Sequence, residues 1–162
     1  MNAALIRPIE IKDNVEVASI IKNVMTEYEC VGEGYSINDP EVEDMFGYYN
    51  KTQSAFFVIE HENKVFGCAG IAPLSFGDVN TCELRKMYFL PQARGLGLGQ
   101  KMLDVCLNKA IQLNYKKCYL ETVDRMNRAK KLYLKNGFRP LASNMGQTGH
   151  NSCDSFYCKV LV

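Results

Sequence analysis

The chain has 162 residues, enough for one domain with a real core, and nothing in it marks a second, so residues 1–162 are expected to form a single unit. Nineteen Lys and Arg against eighteen Asp and Glu leave a net charge of +1, with no basic tract or stripe, which argues against nucleic acid and anionic membranes as partners. No apolar run approaches membrane-spanning length, and the start from Met1 to Arg7 lacks the charged region and long apolar core of a secretory leader, so a cytoplasmic location is expected.

The first helix is announced by Asp13 as N-cap with Glu16 three residues on, followed by Val17, Ile20, Ile21, Val24 and Tyr28 at helical spacing. Asp39-Pro40 is a second start, cap then proline, for a short helix to about Tyr49. Residues 54–60 and 65–72 are strand-like runs around His61-Glu62-Asn63-Lys64, which predicts a hairpin. The turn at 76–80 leads into a strand over 81–90. Beyond it, Leu98, Met102, Cys106 and Ala110 form one helical stripe, widened by Leu103, Ile111 and Leu113. Residues 117–122 read as a short strand and 126–136 as a helix with Ala129, Leu132 and Tyr133 inward, closed by Gly137; 154–162 alternate like a final strand. The order predicts an α/β or α+β mixed sheet.

Seven cysteines contain no C-x-x-C pair, and two histidines are too few to complete zinc sites with them, so no metal is expected. Most read as small core hydrophobes in a reducing compartment.

The most informative segment is Arg94-Gly95-Leu96-Gly97-Leu98-Gly99, between the strand and the helix. Glycines at alternate positions remove the Cβ atoms that hold a ligand away, and backbone N–H groups at a helix N-terminus then point at phosphate oxygens. Arg94 adds a full positive charge to the partial one of the helix. The spacing G-x-G-x-G is not the G-x-G-x-x-G of a dinucleotide fold, and no Gly-Lys-Ser or Gly-Lys-Thr makes a nucleotide-hydrolysing loop.

Gln92-x-x-Gly95-x-Gly97, and again Arg94-x-x-Gly97-x-Gly99, resemble the phosphate loop of the acetyl-CoA-dependent acyltransferases called the GNAT superfamily. The strand Leu84-Arg85-Lys86-Met87-Tyr88-Phe89-Leu90-Pro91 resembles the one that family places ahead of the loop, and Leu132-Tyr133-Leu134-Lys135-Asn136-Gly137-Phe138 its later Leu-Tyr-x-x-x-Gly-Phe signature. The resemblance implies an acyl-CoA N-acyltransferase fold, a central mixed sheet with splayed middle strands flanked by helices, the splay falling between the strands at 81–90 and 117–122. It implies acetyl-CoA as co-substrate, its pantetheine arm against the main chain of Met87, Tyr88 and Phe89, and its pyrophosphate at Gln92, Arg94, Gly95, Leu96, Gly97, Leu98, Gly99 and Gln100. Family members carry an asparagine where this chain has Met126; Asn127 beside it is the substitute candidate, as helix cap or cofactor contact.

The same resemblance makes Tyr133 the general acid, since a phenol of ordinary pKa ~10 is protonated at neutral pH and can donate to a leaving thiolate. Glu121 and Glu83 are both candidates for the base that deprotonates the acceptor amine, each with a bland alternative as an ion-pair partner of Arg85 or Lys117. The acceptor side offers Glu27, Tyr28, Glu33, Tyr35 and the loop 146–151. His150 in that loop reads as a surface histidine, with an acceptor-site or relay role as the alternative. The expected activity is acetyl transfer to a primary amine of a small molecule or peptide. The competing reading is an acyl-CoA sensor without catalysis. Dimerisation is common for such folds, and the sequence identifies no interface.

Overall fold

The computed structural model describes Ala4 to Val162; Met1 to Ala3, at the start of the segment read for a leader, lie outside the described residues. One seven-stranded mixed sheet runs in the order β1-β2-β3-β4-β5-β7-β6. Its strands are β1 (Leu5–Pro8), β2 (Ala55–His61), β3 (Lys64–Pro73), β4 (Thr81–Phe89), β5 (Lys117–Thr122), β6 (Arg139–Leu141) and β7 (Ser155–Val160). The helices are α1 (Asn14–Glu27), α2 (Met45–Tyr49), α3 (Leu98–Gln112) and α4 (Asn127–Lys135). No helix among the described residues is long and apolar enough to cross a membrane.

Side chains of a strand alternate between faces, so a sheet covered on both sides needs apolar residues at every position. In β2, Phe57 and Ile59 join the core under α3, while Phe56 and Val58 join the core under α1 and α2. Met102, Leu103, Cys106 and Ala110 of α3 are fully buried, and each of the larger ones contributes about 2–3 kcal/mol by leaving water. Ile111 falls off this stripe and is 41% exposed, because one residue past buried Ala110 the helix has rotated by about 100° away from the sheet. Five of the seven cysteines are buried as core hydrophobes; Cys153 and Cys158 are half-buried, and all seven are free thiols.

The β2–β3 hairpin turns through Glu62 and Asn63, both at positive φ (51° and 60°), a conformation that suits the right-handed twist of paired strands. Two helix starts differ from the sequence expectation. Asp13 does precede α1, but its carboxylate is held by Arg7 and by the Glu10 N–H, and Glu16 accepts from the Val65 N–H at 3.0 Å, so neither caps the helix. The helix expected from Pro40 to Tyr49 is split into a 3₁₀ turn, Pro40–Glu43, and α2, whose cap is Asp44 accepting from Gly47 N–H. The short β6, with Pro140 at its centre, sits at a sheet edge, where a missing N–H costs nothing.

The middle of the sheet is where it opens. Strands β4 and β5 run parallel and pair only from Thr81↔Lys117 to Glu83↔Tyr119. On its other side β4 carries a bulge: Cys68 faces Tyr88 and Gly70 faces Arg85, so Lys86 and Met87 stand opposite Ala69 alone. Lys86 takes φ 54° there, which bends β4 away from β5.

Candidate active site

Along an antiparallel pair, successive main-chain groups point alternately toward and away from the neighbour. Leu90 N–H donates to Phe66 O, so the groups of Met87 and Phe89 face the gap left by β5. Into that gap opens a groove lined by Met87, Tyr88 and Phe89 of β4, Gly95 and Gly99 of the loop, and Tyr133 of α4. Tyr28 and Val24 of α1 and Met126, Arg128, Ala129 and Leu132 around α4 close its other walls. Helical spacing had marked several of these as core; nothing in one sequence distinguishes a core face from a groove wall.

The glycine loop has the shape its sequence requires. Gly95 and Gly97 both have φ 75°, and a Cβ built on either meets no protein atom within 4 Å. Side chains there would project into open space at the mouth of the groove, where the first N–H groups of α3 are unpaired. Gly99 differs: its Cβ position lies 3.5 Å from Leu132, an ordinary packing contact between α3 and α4. Gly95 and Gly99 line the groove, whereas Gln92, Leu96, Gly97, Leu98, Gln100 and Asn127 do not. Leu98 is buried in the core, and Gln100 exchanges hydrogen bonds with Asn136 (2.7 and 2.9 Å), tying α3 to the end of α4. Met126, not Asn127, is the N-cap of α4.

Arg94 is not the free cation the sequence suggested. Its guanidinium makes two bonds to Glu27 of α1, at 2.6 and 2.7 Å, and its Nε donates to Phe89 O at 2.8 Å. It therefore braces the end of β4, and its charge is offset by Glu27. Among the described residues, Arg128 lines the same groove without a carboxylate partner.

A second cavity adjoins the groove and shares Met87, Tyr88, Met126 and Tyr133 with it. Tyr133 thus stands at the junction, its ring packed 5.7 Å from Phe138 and 6.4 Å from Tyr157. Burial pushes its phenol well above the ordinary range, so it stays protonated. Its hydroxyl makes no hydrogen bond within the chain and is not sealed from the cavity.

Glu83 and Glu121 both line this second cavity, and their surroundings move their pKa values in opposite directions. Glu83 is 2% exposed; Arg85 Nε donates to its Oε2 at 2.5 Å, while Oε1 has no partner and is not sealed off. Burial, only partly offset by Arg85, raises its pKa. Glu121 accepts from Tyr119 OH at 2.7 Å and Thr148 OH at 2.8 Å, with the His150 ring 3.6 Å away. Burial works against its charge, but the His150 ring and the two hydroxyls outweigh it and lower its pKa. Lys117, the partner considered for Glu121, instead faces Asp78.

His150 is not a surface histidine. Its side chain is 12% exposed, with Nε2 2.9 Å from Asp39 and Nδ1 toward Glu121. Burial opposes its charge, yet the two carboxylates prevail and its pKa rises to about 9. Asp39 also accepts from Lys86, which the β4 bulge turns inward to reach Ser36 O at 2.9 Å as well. Ligand-capable atoms of Glu83, Glu121 and His150 lie within 4.8 Å of one another. The two carboxylates already accept from Arg85, Tyr119 and Thr148, and His150 is engaged by Asp39 and Glu121.

A mixed sheet splayed between two parallel strands, with a glycine loop at the mouth of the groove and Glu83, Glu121 and Tyr133 around the adjoining cavity, defines an α/β domain. The model of the acetyltransferase (GNAT) family matches residues 20–138. The chain is 36% identical over 151 residues to the uncharacterized N-acetyltransferase YjgM of Escherichia coli, covering 93% of this chain and 90% of that one. Two solved structures share its fold: an acetyltransferase of the GNAT family from Staphylococcus aureus, with TM-score 0.82 at 21% identity over 99% of this chain and 100% of that chain, and the acetyltransferase yncA from Salmonella typhimurium with its cofactor acetyl-CoA, with TM-score 0.77 at 20% identity over 98% and 94%. The chain belongs to the acetyltransferase (GNAT) family.

Proposed function

We propose that this acetyltransferase carries the acetyl group of acetyl-CoA to a primary amine, with Glu83 as base and Tyr133 as acid. The observation that carries the reading is the position of Tyr133, shared by the groove that ends at the glycine loop and by the cavity that holds Glu83. The main-chain groups of Met87 and the N–H of Phe89, whose O already accepts from Arg94, suit the amides of a pantetheine arm, and the free N–H groups at 95–99 suit a pyrophosphate. Arg128 is a second source of positive charge along that groove. The yncA structure contains acetyl-CoA, which supports the same use here.

In this scheme the Oε1 of Glu83 takes a proton from the ammonium of the acceptor. The freed nitrogen forms its bond to the thioester carbon, the carbon–sulfur bond breaks, and Tyr133 gives its phenolic proton to the departing thiolate. The second proton lost by the nitrogen as it becomes an amide restores the Tyr133 phenol, and the proton held by Glu83 passes to solvent, one per turnover. Glu83 fits the base better than Glu121: its pKa is moved toward neutrality and one oxygen is free, whereas Glu121 is fixed in its ionised form by its donors. The test is release of free thiol from acetyl-CoA in the presence of primary amines. Amine-dependent release is expected; binding of acetyl-CoA with no release from any amine would instead mark a sensor.

A further inference from the structure

Every cation in the acceptor cavity is already matched within the chain. Arg85 donates to Glu83 and Ser75 Oγ and lies 3.9 Å from Glu41. Lys86 is held by Asp39 and Ser36 O, with Glu41 at 3.8 Å. His150 lies between Asp39 and Glu121. With Glu83 ionised, as a base requires, four carboxylates (Asp39, Glu41, Glu83 and Glu121) meet three cations, even when His150 is charged.

That balance decides what enters. An ammonium meets a site of net charge −1, attracted through a low-dielectric interior where unlike charges act strongly. A carboxylate on a neighbouring carbon finds no unpaired cation in the lining and adds to the excess. Arg125, outside the lining, is occupied by Tyr28 O and Glu29 O and reaches the cavity only through its contacts with the Tyr35 hydroxyl at 3.4 Å and Cys30 Sγ at 3.8 Å. The remaining walls, among them Met25, Cys30, Leu120 and Val123, are apolar and suit methylene groups.

We propose that the acceptor is a primary alkylamine whose chain next to the reactive nitrogen carries no negative group, so that diamines and neutral amine derivatives are acetylated and α-amino or short ω-amino acids are refused. The proposal rests on the amine-acetyltransferase reading above and narrows it. It separates substrates by charge alone, since a carboxylate and an aminomethyl group differ little in size.

The experiment compares kcat/KM, corrected for the ionisation of each amine, for matched pairs: 1,4-diaminobutane with 4-aminobutanoate, and glycinamide with glycine. The diamine and the amide are expected to exceed their carboxylate twins by about tenfold or more, a 1.4 kcal/mol difference for each factor of ten. Glu121→Gln removes one negative charge and is expected to shrink that ratio at least roughly threefold, whatever it does to the absolute rate. Equal or better use of the carboxylate twins, or a ratio unmoved in Glu121→Gln, would overturn the proposal while leaving the transferase reading intact. Acetyl-CoA bound but no thiol released with any of the four amines would overturn both.

Discussion

His150 Nε2 lies 2.9 Å from the carboxylate of Asp39, joining two loops separated by 111 positions in the chain. Around this contact the segment at Glu33–Asp39 and the loop before β7 are sewn together, with Ser152 Oγ donating to Glu33 O and Ser152 N–H to Gly34 O. The acceptor cavity is closed by residues that no local pattern connects.

Because the folded-state pKa of His150, about 9, lies above its ordinary 6.5, its contribution to stability is fully present below about pH 6.5 and is lost as pH rises through 9. We predict that His150→Ala loses on the order of 2–3 kcal/mol at pH 6 and much less at pH 10. Denaturant midpoints at the two pH values check this, and Asp39→Asn should bring the imidazole titration seen by NMR back toward its ordinary value.

Glu83→Gln is expected to lower kcat by roughly 10²–10⁴ and to abolish the acidic limb of the kcat/KM profile. In the wild type that limb is expected above the usual glutamate range, because burial disfavours the charged form. Glu121→Gln keeps the limb. A limb lost in Glu121→Gln and kept in Glu83→Gln would exchange the two roles.

Tyr133→Phe preserves the packing against Phe138 and Tyr157 and removes only the hydroxyl. Turnover should fall roughly 10²–10⁴-fold, the range of a positioned acid, while acetyl-CoA binds within about twofold of wild type. Stopped-flow thiol release and calorimetry separate the two effects.

Gly97→Ala forces a side chain to φ 75° and places a methyl in the space above the loop. The backbone strain costs about 1–2 kcal/mol of stability. CoA affinity should fall by about tenfold beyond that, read as Kd at a temperature where both proteins are folded. Gly99→Ala, with its Cβ in ordinary contact distance of Leu132, should bind CoA nearly normally.

Local chemistry wrote much of this fold into the chain. Strand alternation and the two-residue turn at Glu62-Asn63 specify the β2–β3 hairpin, the stripe from Leu98 to Ala110 specifies α3, and Gly95 and Gly97 specify the loop. The sites that escaped such reading depend on distant partners. Nothing near Lys86 signals a bulge, because a lysine at φ 54° is held there by Ser36 and Asp39 from far along the chain. The free charge assigned to Arg94 is offset by Glu27, a partner visible only once α1 is folded over the groove. Likewise the isolation of His150 in sequence concealed its two carboxylates.

A crystal structure of this protein with acetyl-CoA is the most direct test. The diphosphate is expected within hydrogen-bond distance of main-chain N–H groups between residues 95 and 99, the pantetheine amides against Met87 and Phe89, and the thioester sulfur beside the hydroxyl of Tyr133. A coenzyme seated elsewhere, or one whose sulfur points away from Tyr133 and Glu83, would contradict the proposed mechanism.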